Sequence, residues 1–189
     1  MTADDRQLLR RTHAGHEASA RELWQRHAGW MLPCARGALG RRHAGAAEDI
    51  VQSVFCRILQ LDRRTIRRVR DVRPWLARIL RTQALNHVRS AGRAARRESL
   101  AAPPERHDAA SHPDLAAALG RLPRRHREVL HLRHVAGLTT DQVALALGVP
   151  RGTVASRHHA AILALRALLD SPPPSASDCI GEPAHAHAI

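Results

Sequence analysis

Residues 119–166 read LGRLPRRHREVLHLRHVAGLTTDQVALALGVPRGTVASRHHAAILALR, and the fold class follows from this stretch. Pro123 suits the first turn of a helix, where a missing amide costs nothing. That helix carries Val129, Leu130, Leu132 and Val135 at helical spacing and stops at Gly137. Thr139 or Thr140 caps a short helix holding Val143, Ala144 and Leu147. Gly148-Val149-Pro150 forms a tight turn, with Gly148 supplying the open backbone at the helix end. A longer helix runs from about Gly152 to Leu169 and buries Val154, Ile162, Leu165 and Leu169, while Val149 and Val154 wedge the two helices together. Helix, short glycine turn, helix is the helix-turn-helix arrangement. The outward positions of the second helix include Arg151, Thr153, Ser156, Arg157 and His159, side chains suited to base edges and phosphates. A helical hairpin for protein contacts is the competing reading. Capping, turn chemistry and the polar outer face agree on DNA instead.

Outward from this stretch, Asp114 can cap a helix with Leu115, Ala118, Leu119 and Leu122. Before it, residues 92–113 (GRAARRESLAAPPERHDAASHP) lack apolar periodicity and read as a flexible linker. Residues 171–189 (SPPPSASDCIGEPAHAHAI) read as a disordered tail. Residues 5–90 are helical. Asp4 or Asp5 caps a first helix to about Ala14; residues 16–39 put Leu23, Trp24, His27, Trp30 and Met31 on one side, with a bend or restart at Pro33. Residues 46–61 (AAEDIVQSVFCRILQL) align Ile50, Val51, Val54, Phe55, Ile58 and Leu59, leaving Asp49, Gln52, Ser53 and Arg57 opposite. Pro74 opens a further helix with Trp75, Leu76, Ile79 and Leu80 on its apolar stripe. Alternating β-branched runs are missing. The expectation is an all-α chain of two small helical domains, 1–91 and 114–170, joined by the linker 92–113 and followed by the tail.

Charge narrows the partners. The chain has 189 residues, 30 basic and 17 acidic, and every basic one is arginine. Residues 62–97 hold 12 arginines against 2 acids, a net +10 of the total +13. Replacement of lysine by arginine in a GC-rich genome accounts for the missing lysines but not for this clustering, which points to a polyanion such as nucleic acid. Hydrophobic residues are 44% of the chain, enough for a folded core. No run reaches the ~20 apolar residues of a membrane span, and the first eleven residues carry no apolar signal region. Cys34, Cys56 and Cys179 make no disulfide framework. These features favour a cytoplasmic protein over a secreted or membrane-inserted one. Cys34 and Cys56, beside apolar helix faces, read as core.

The segments LWQRHAGWMLPCARGALGRRHAGAAEDIVQSVFCRILQL and VRPWLARILRTQALNHVRS resemble region two of extracytoplasmic-function (ECF) sigma factors of the sigma-70 family. The segment from Leu119 to Arg166 resembles their region four. The specificity lies in the order AEDIVQSVF, PWLARI, LPRRHREVLHLR, GVPRGTVASR, since a lone helix-turn-helix occurs in many regulators. The resemblance implies a non-catalytic initiation subunit that binds core RNA polymerase, directs it to promoters and helps open the duplex, with no cofactor of its own. It also implies an anti-sigma factor as a further partner.

Roles follow from the resemblance. Glu48, Asp49, Gln52 and Arg57 fall on the face with which the family grips the polymerase clamp helices. Arg63, Arg64, Arg67, Arg68, Arg70 and Arg73, with Arg78, Arg81, Gln83, Asn86 and Arg89 on the following helix, match the single-stranded minus-ten reader. Arg151, Thr153, Ser156, Arg157 and His159 match the duplex minus-thirty-five reader. Thr82 and Asn86 stand where the family often has Asn and Asp, and Ala160 where it often has Arg. Aromatics are 2% of residues, and Trp75 is the only one near the minus-ten segment, so strand capture leans on arginine and polar pockets rather than stacking. His126, His131 and His134 lie along one helix without a carboxylate or thiol to complete a metal site and read as a solvated face. Cys179, His185 and His187 in the tail are a weak metal or redox signal. A helix-turn-helix regulator without sigma activity would leave AEDIVQ unexplained, and a recombinase would need a nucleophile cluster that the sequence lacks.

Overall fold

The structure, a computed structural model, describes residues 4–98 and 115–170. Asp114, residues 99–113 of the expected linker, and the tail with Cys179, His185 and His187 lie outside them. Nine α-helices account for most of the described chain, and no strand occurs among the described residues. They are α1 (Asp5–His13), α2 (Glu17–Leu39), α3 (Ala47–Gln60), α4 (Arg63–Arg68), α5 (Val72–Glu98), α6 (Leu115–Arg121), α7 (Arg124–Leu130), α8 (Thr140–Leu147) and α9 (Arg151–Asp170). A 3-10 turn (Arg41–Ala46) joins α2 to α3, and α7 continues into a π turn (His131–Val135).

The first half packs α1, α3 and α5 around α2. The helix α2 continues through Pro33 with no restart there. Trp30 and Met31 before the proline, and Cys34 and Ala35 after it, are all buried, so packing on both sides outweighs the lost backbone bond. Three apolar expectations fail in this half. Leu59 is 54% exposed and Trp24 38% exposed, and Cys56 is exposed while Cys34 is buried. The apolar stripe of α3 is narrower than the sequence suggests: Ile50, Val51, Val54 and Ile58 fill the contact, leaving Leu59 and Cys56 on the outer side.

The arginine-rich span contains a helix that periodicity does not reveal. The Asp62 carboxylate caps α4 by accepting from the Thr65 amide at 2.8 Å and from its hydroxyl at 2.7 Å. These bonds hold the Asp62 carboxyl below its ordinary value. Ile66, Val69 and Val72 pin the span to the core. The helix α5 runs to Glu98, into the stretch read as linker. Ala94-Ala95-Arg96-Arg97 is rich in strong helix formers and has no stop signal before the prolines further on.

In the second half, α8 carries a full capping box: Thr139 Oγ1 accepts from the Gln142 amide, and Gln142 Oε1 accepts from the Thr139 amide. Gly148 closes α8 in the left-handed conformation at φ 68°, the reason a glycine stands there. Val154 is fully buried and Val149 partly so, as the helix-turn-helix requires.

The two halves do not sit apart. The helix α8 packs on α5, and α7 with its π turn packs on α2. Val129, Leu132, Leu138, Val143, Leu147 and Val154 belong to the same buried cluster as Leu8, Met31, Ile58 and Leu76. A smaller cluster of Leu122, Leu130 and Ala161 belongs to the second half alone.

Candidate functional site

The outer face of α3 presents Glu48, Asp49, Gln52 and Arg57 to solvent together. Both acids sit in the helix's first turn, where they complement the positive end of its dipole. Trp24 leans on Phe55 with ring centroids 4.8 Å apart. The same surface therefore offers Trp24, Cys56 and Leu59, which the sequence reading had assigned to the interior. Apolar side chains left beside charged ones make a surface suited to a protein partner.

Arg63, Arg64, Arg67, Arg68, Arg70, Arg73, Arg78 and Arg89 are exposed, as is Asn86, and Gln83 is half-buried. Arg73 stacks over Trp30 at 5.6 Å from the ring centroid. Thr82 is exposed, and its hydroxyl donates to the Arg78 carbonyl of its own helix at 2.9 Å. Arg81 differs from the others: its Nε donates to Glu128 Oε2 of α7 at 3.3 Å. The partner is 6% exposed and also lies 3.5 Å from Arg124 Nε. Arg81 thus belongs to the contact between halves.

On α9, Arg151, Ser156 and His159 are exposed, and Thr153 and Arg157 are half-buried. Arg151 reaches Asp141 at 3.5 Å on a well-exposed surface. Thr153, Ser156, Arg157 and Ala160 share an open groove with Arg125 and His126 from α7. From sequence, Arg125 has no role and His126 reads only as part of a solvated face, because no periodicity links positions 125 and 157. The His126 imidazole is held below its ordinary value by burial, then by Arg125 and Arg157. His158 turns away from this groove and meets His134 of the π turn, Nε2 to Nε2, at 2.9 Å. Among the described residues, no group of three or more His, Cys, Asp or Glu side chains is placed to hold a metal ion.

His131 is not on a solvated face, as the sequence suggested. It seats on Gly37 of α2, where an added Cβ would fall 2.3 Å from its Cδ2. Burial, then Arg127, pushes its imidazole below the ordinary value. Cys34 donates its thiol to the His131 carbonyl at 3.6 Å, and burial pushes that thiol up to about 12. Arg127, 8% exposed, donates from Nε to the Gly37 carbonyl at 2.6 Å and from Nη1 to the Gly120 and Leu122 carbonyls at 3.1 Å. One guanidinium thus ties the ends of α2 and α6, where carbonyls lack helical partners.

In chain order this helical assembly presents the polar face of α3, the arginine-lined pair α4 and α5, and a helix-turn-helix of α8 and α9. The family description Sigma-70 region 2 matches residues 23–94, and Sigma-70, region 4 matches residues 118–167. ECF RNA polymerase sigma factor SigL of Mycobacterium tuberculosis is 32% identical over 165 residues, 82% of this chain and 92% of that protein. RNA polymerase sigma factor CarQ of Myxococcus xanthus is 30% identical over 170 residues, 85% and 95% of the two chains. Among solved structures, CnrH in complex with the cytosolic domain of CnrY aligns at a TM-score of 0.62 and 25% identity, covering 88% of this chain and 97% of that one. RpoE of Bartonella quintana, solved with the anti-sigma factor NepR, shares the fold at a TM-score of 0.58 and 23% identity over 74% of this chain and 89% of that one. The chain belongs to the ECF sigma factors of the sigma-70 family. No helix among the described residues is long and apolar enough to cross a membrane.

Proposed function

We propose that this sigma factor works by three surfaces. It binds core RNA polymerase and directs promoter-specific initiation, as its family membership implies. The face of Glu48, Asp49, Gln52 and Arg57, widened by Trp24 and Leu59, grips the polymerase. The exposed arginines of α4 and α5 hold the separated minus-ten strand, and Gln83 and Asn86 read it. The groove of Thr153, Ser156 and Arg157 takes the minus-thirty-five duplex. The functional units are the bundle ending with α5 and the helix-turn-helix body starting at α6. The subunit performs no covalent step and acts in the cytoplasm. By analogy with RpoE, which was solved with the anti-sigma factor NepR, an anti-sigma factor controls it.

The observation that carries this reading is the presence of both family regions, in order, on one chain, with all three sets of polar residues largely facing solvent. The test mixes the chain with core polymerase and a promoter library and sequences the transcripts. Initiation from a defined set of promoters is expected. The Asp49→Ala, Gln52→Ala variant should lose polymerase affinity, and native affinity would remove the α3 face from the mechanism.

A further inference from the structure

Two histidines that are distant in sequence meet head to head on the second half. His134 sits in the π turn His131–Val135, and His158 lies along α9. Their Nε2 atoms are 2.9 Å apart while their ring centroids are 5.1 Å apart, so the two nitrogens point at each other. At that distance one Nε2 carries a proton and the other accepts it. A π turn is rare and frequents functional sites. The backbone on each side is anchored: Leu132 and Ala136 flank His134, Val154 and Ala161 flank His158, and all four are buried. The rings themselves have room, since His134 is exposed and His158 half-buried.

The electronic state suits a metal ligand. Burial, then His134, Arg133 and His159, holds the His158 imidazole below its ordinary value, which leaves it neutral at neutral pH, the form that binds metal. The Arg133 guanidinium is engaged elsewhere, donating from Nη1 to the Leu138 carbonyl at 2.7 Å. Two nitrogens bound at right angles to one ion, each at ~2.05 Å, stand about 2.9 Å apart, against about 3.3 Å in a tetrahedral site. The observed separation matches the right-angled case, and square or tetragonal sites of nitrogen and oxygen select Cu(II) and Ni(II). To bind, the rings turn until both lone pairs converge beside the line between the nitrogens. The proton between them moves to Nδ1 of its own ring, so both imidazoles stay neutral and none is released.

We propose that His134 and His158 together bind one divalent transition-metal ion of the Cu(II) or Ni(II) class, bridging the π turn to α9, with water filling the remaining positions. No third His, Cys, Asp or Glu among the described residues completes the site, so the ion is exchangeable, unlike one held in a closed four-ligand structural site.

The experiment titrates Ni(II) into the full chain at pH 7.5 by isothermal calorimetry. Every protein carries Cys179→Ser, His185→Ala and His187→Ala, which removes the ligands of the tail. This parent should bind Ni(II), and His134→Ala and His158→Ala should each weaken the tightest site by at least about 10-fold. His159→Ala, which removes a neighbouring exposed imidazole, should change it by less than about 2-fold. A parent that takes up no Ni(II) overturns the site, as does either folded single variant that retains the parent's affinity. An equal loss in His159→Ala also overturns it, since binding would then belong to scattered surface histidines. Should His158→Ala fail to fold by circular dichroism, the exposed change His134→Ala carries the test alone.

Discussion

Replacing Gly37 by alanine should give opposite signs of effect in two backgrounds. In the middle of a helix, Gly→Ala is worth up to about 1 kcal/mol in favour of folding. Gly37, however, lies under the His131 ring. The new Cβ would stand 2.3 Å from Cδ2, 2.7 Å from Nε2 and 2.9 Å from Cγ, whereas ordinary contacts begin near ~3.4 Å. The ring cannot swing away at its tip alone, because Cγ is crowded as well. Either the imidazole leaves its seat or α7 lifts from α2 by about 1 Å, at an overpacking cost of about 1–3 kcal/mol. Gly37→Ala alone should therefore destabilise the full chain by up to about 2 kcal/mol, the propensity gain offsetting part of the clash. In a His131→Ala background the space is open, and the same change should stabilise by about 0.5–1 kcal/mol. Urea unfolding of the four proteins in a double-mutant cycle measures the coupling, expected at about 1–3 kcal/mol. Equal effects of Gly37→Ala in both backgrounds would refute the proposed seating of His131 on α2.

Other outcomes follow from the same geometry. Arg127→Met should cost about 2–4 kcal/mol in urea unfolding, because it strands the buried carbonyls of Gly37, Gly120 and Leu122; a loss below 0.5 kcal/mol would count against their dependence on Arg127. Acid should weaken the fold through His131 and His27, both held below the ordinary imidazole value chiefly by burial. Between the folded value and about 6.5, the unfolded chain binds more protons, so stability rises with pH and is lost as pH falls below about 6.5. Each histidine contributes a slope of at most about 1.4 kcal/mol per pH unit, and His131→Gln should flatten a melting-temperature series from pH 7.5 to 5. In single-strand binding, Arg67→Ala with Arg68→Ala should reduce the slope of log affinity against log salt by about 1.4, at ~0.7 per phosphate contact. Arg125→Ala should reduce the corresponding slope on duplex DNA by about 0.9, which an unchanged slope would contradict.

The legible parts of this fold are those written in local chemistry. Thr139 and Gln142 announce a helix start, Gly148 its end, and Val149 with Val154 the angle of the helix pair. The AEDIVQ segment shows one polar face because charged residues recur at helical spacing. The contact between halves is hard to read from sequence in part because Gly37, under the His131 ring, and Ala38 and Ala77, beside Arg81 and Glu128, are small. Small residues carry almost no hydrophobic pattern, and their value is to let helices approach closely. Arg81 and Glu128 likewise read as surface charges until a partner 47 positions away is placed opposite. The short helix α4 escaped notice because a single buried isoleucine in six residues makes no period.

Gln142 ends up with two jobs on one amide. Its oxygen completes the cap of α8, and its nitrogen reaches across to Asp71. A glutamate there would keep the first job, since either acid or amide closes a capping box, and would turn the second into repulsion between two carboxylates. A difference of one heavy atom, NH₂ for O⁻, therefore separates how well α8 is capped from how firmly it is tied to the segment before α5. A change at this one position would loosen or tighten the packing of the two halves while the capped helix-turn-helix itself stayed as it is.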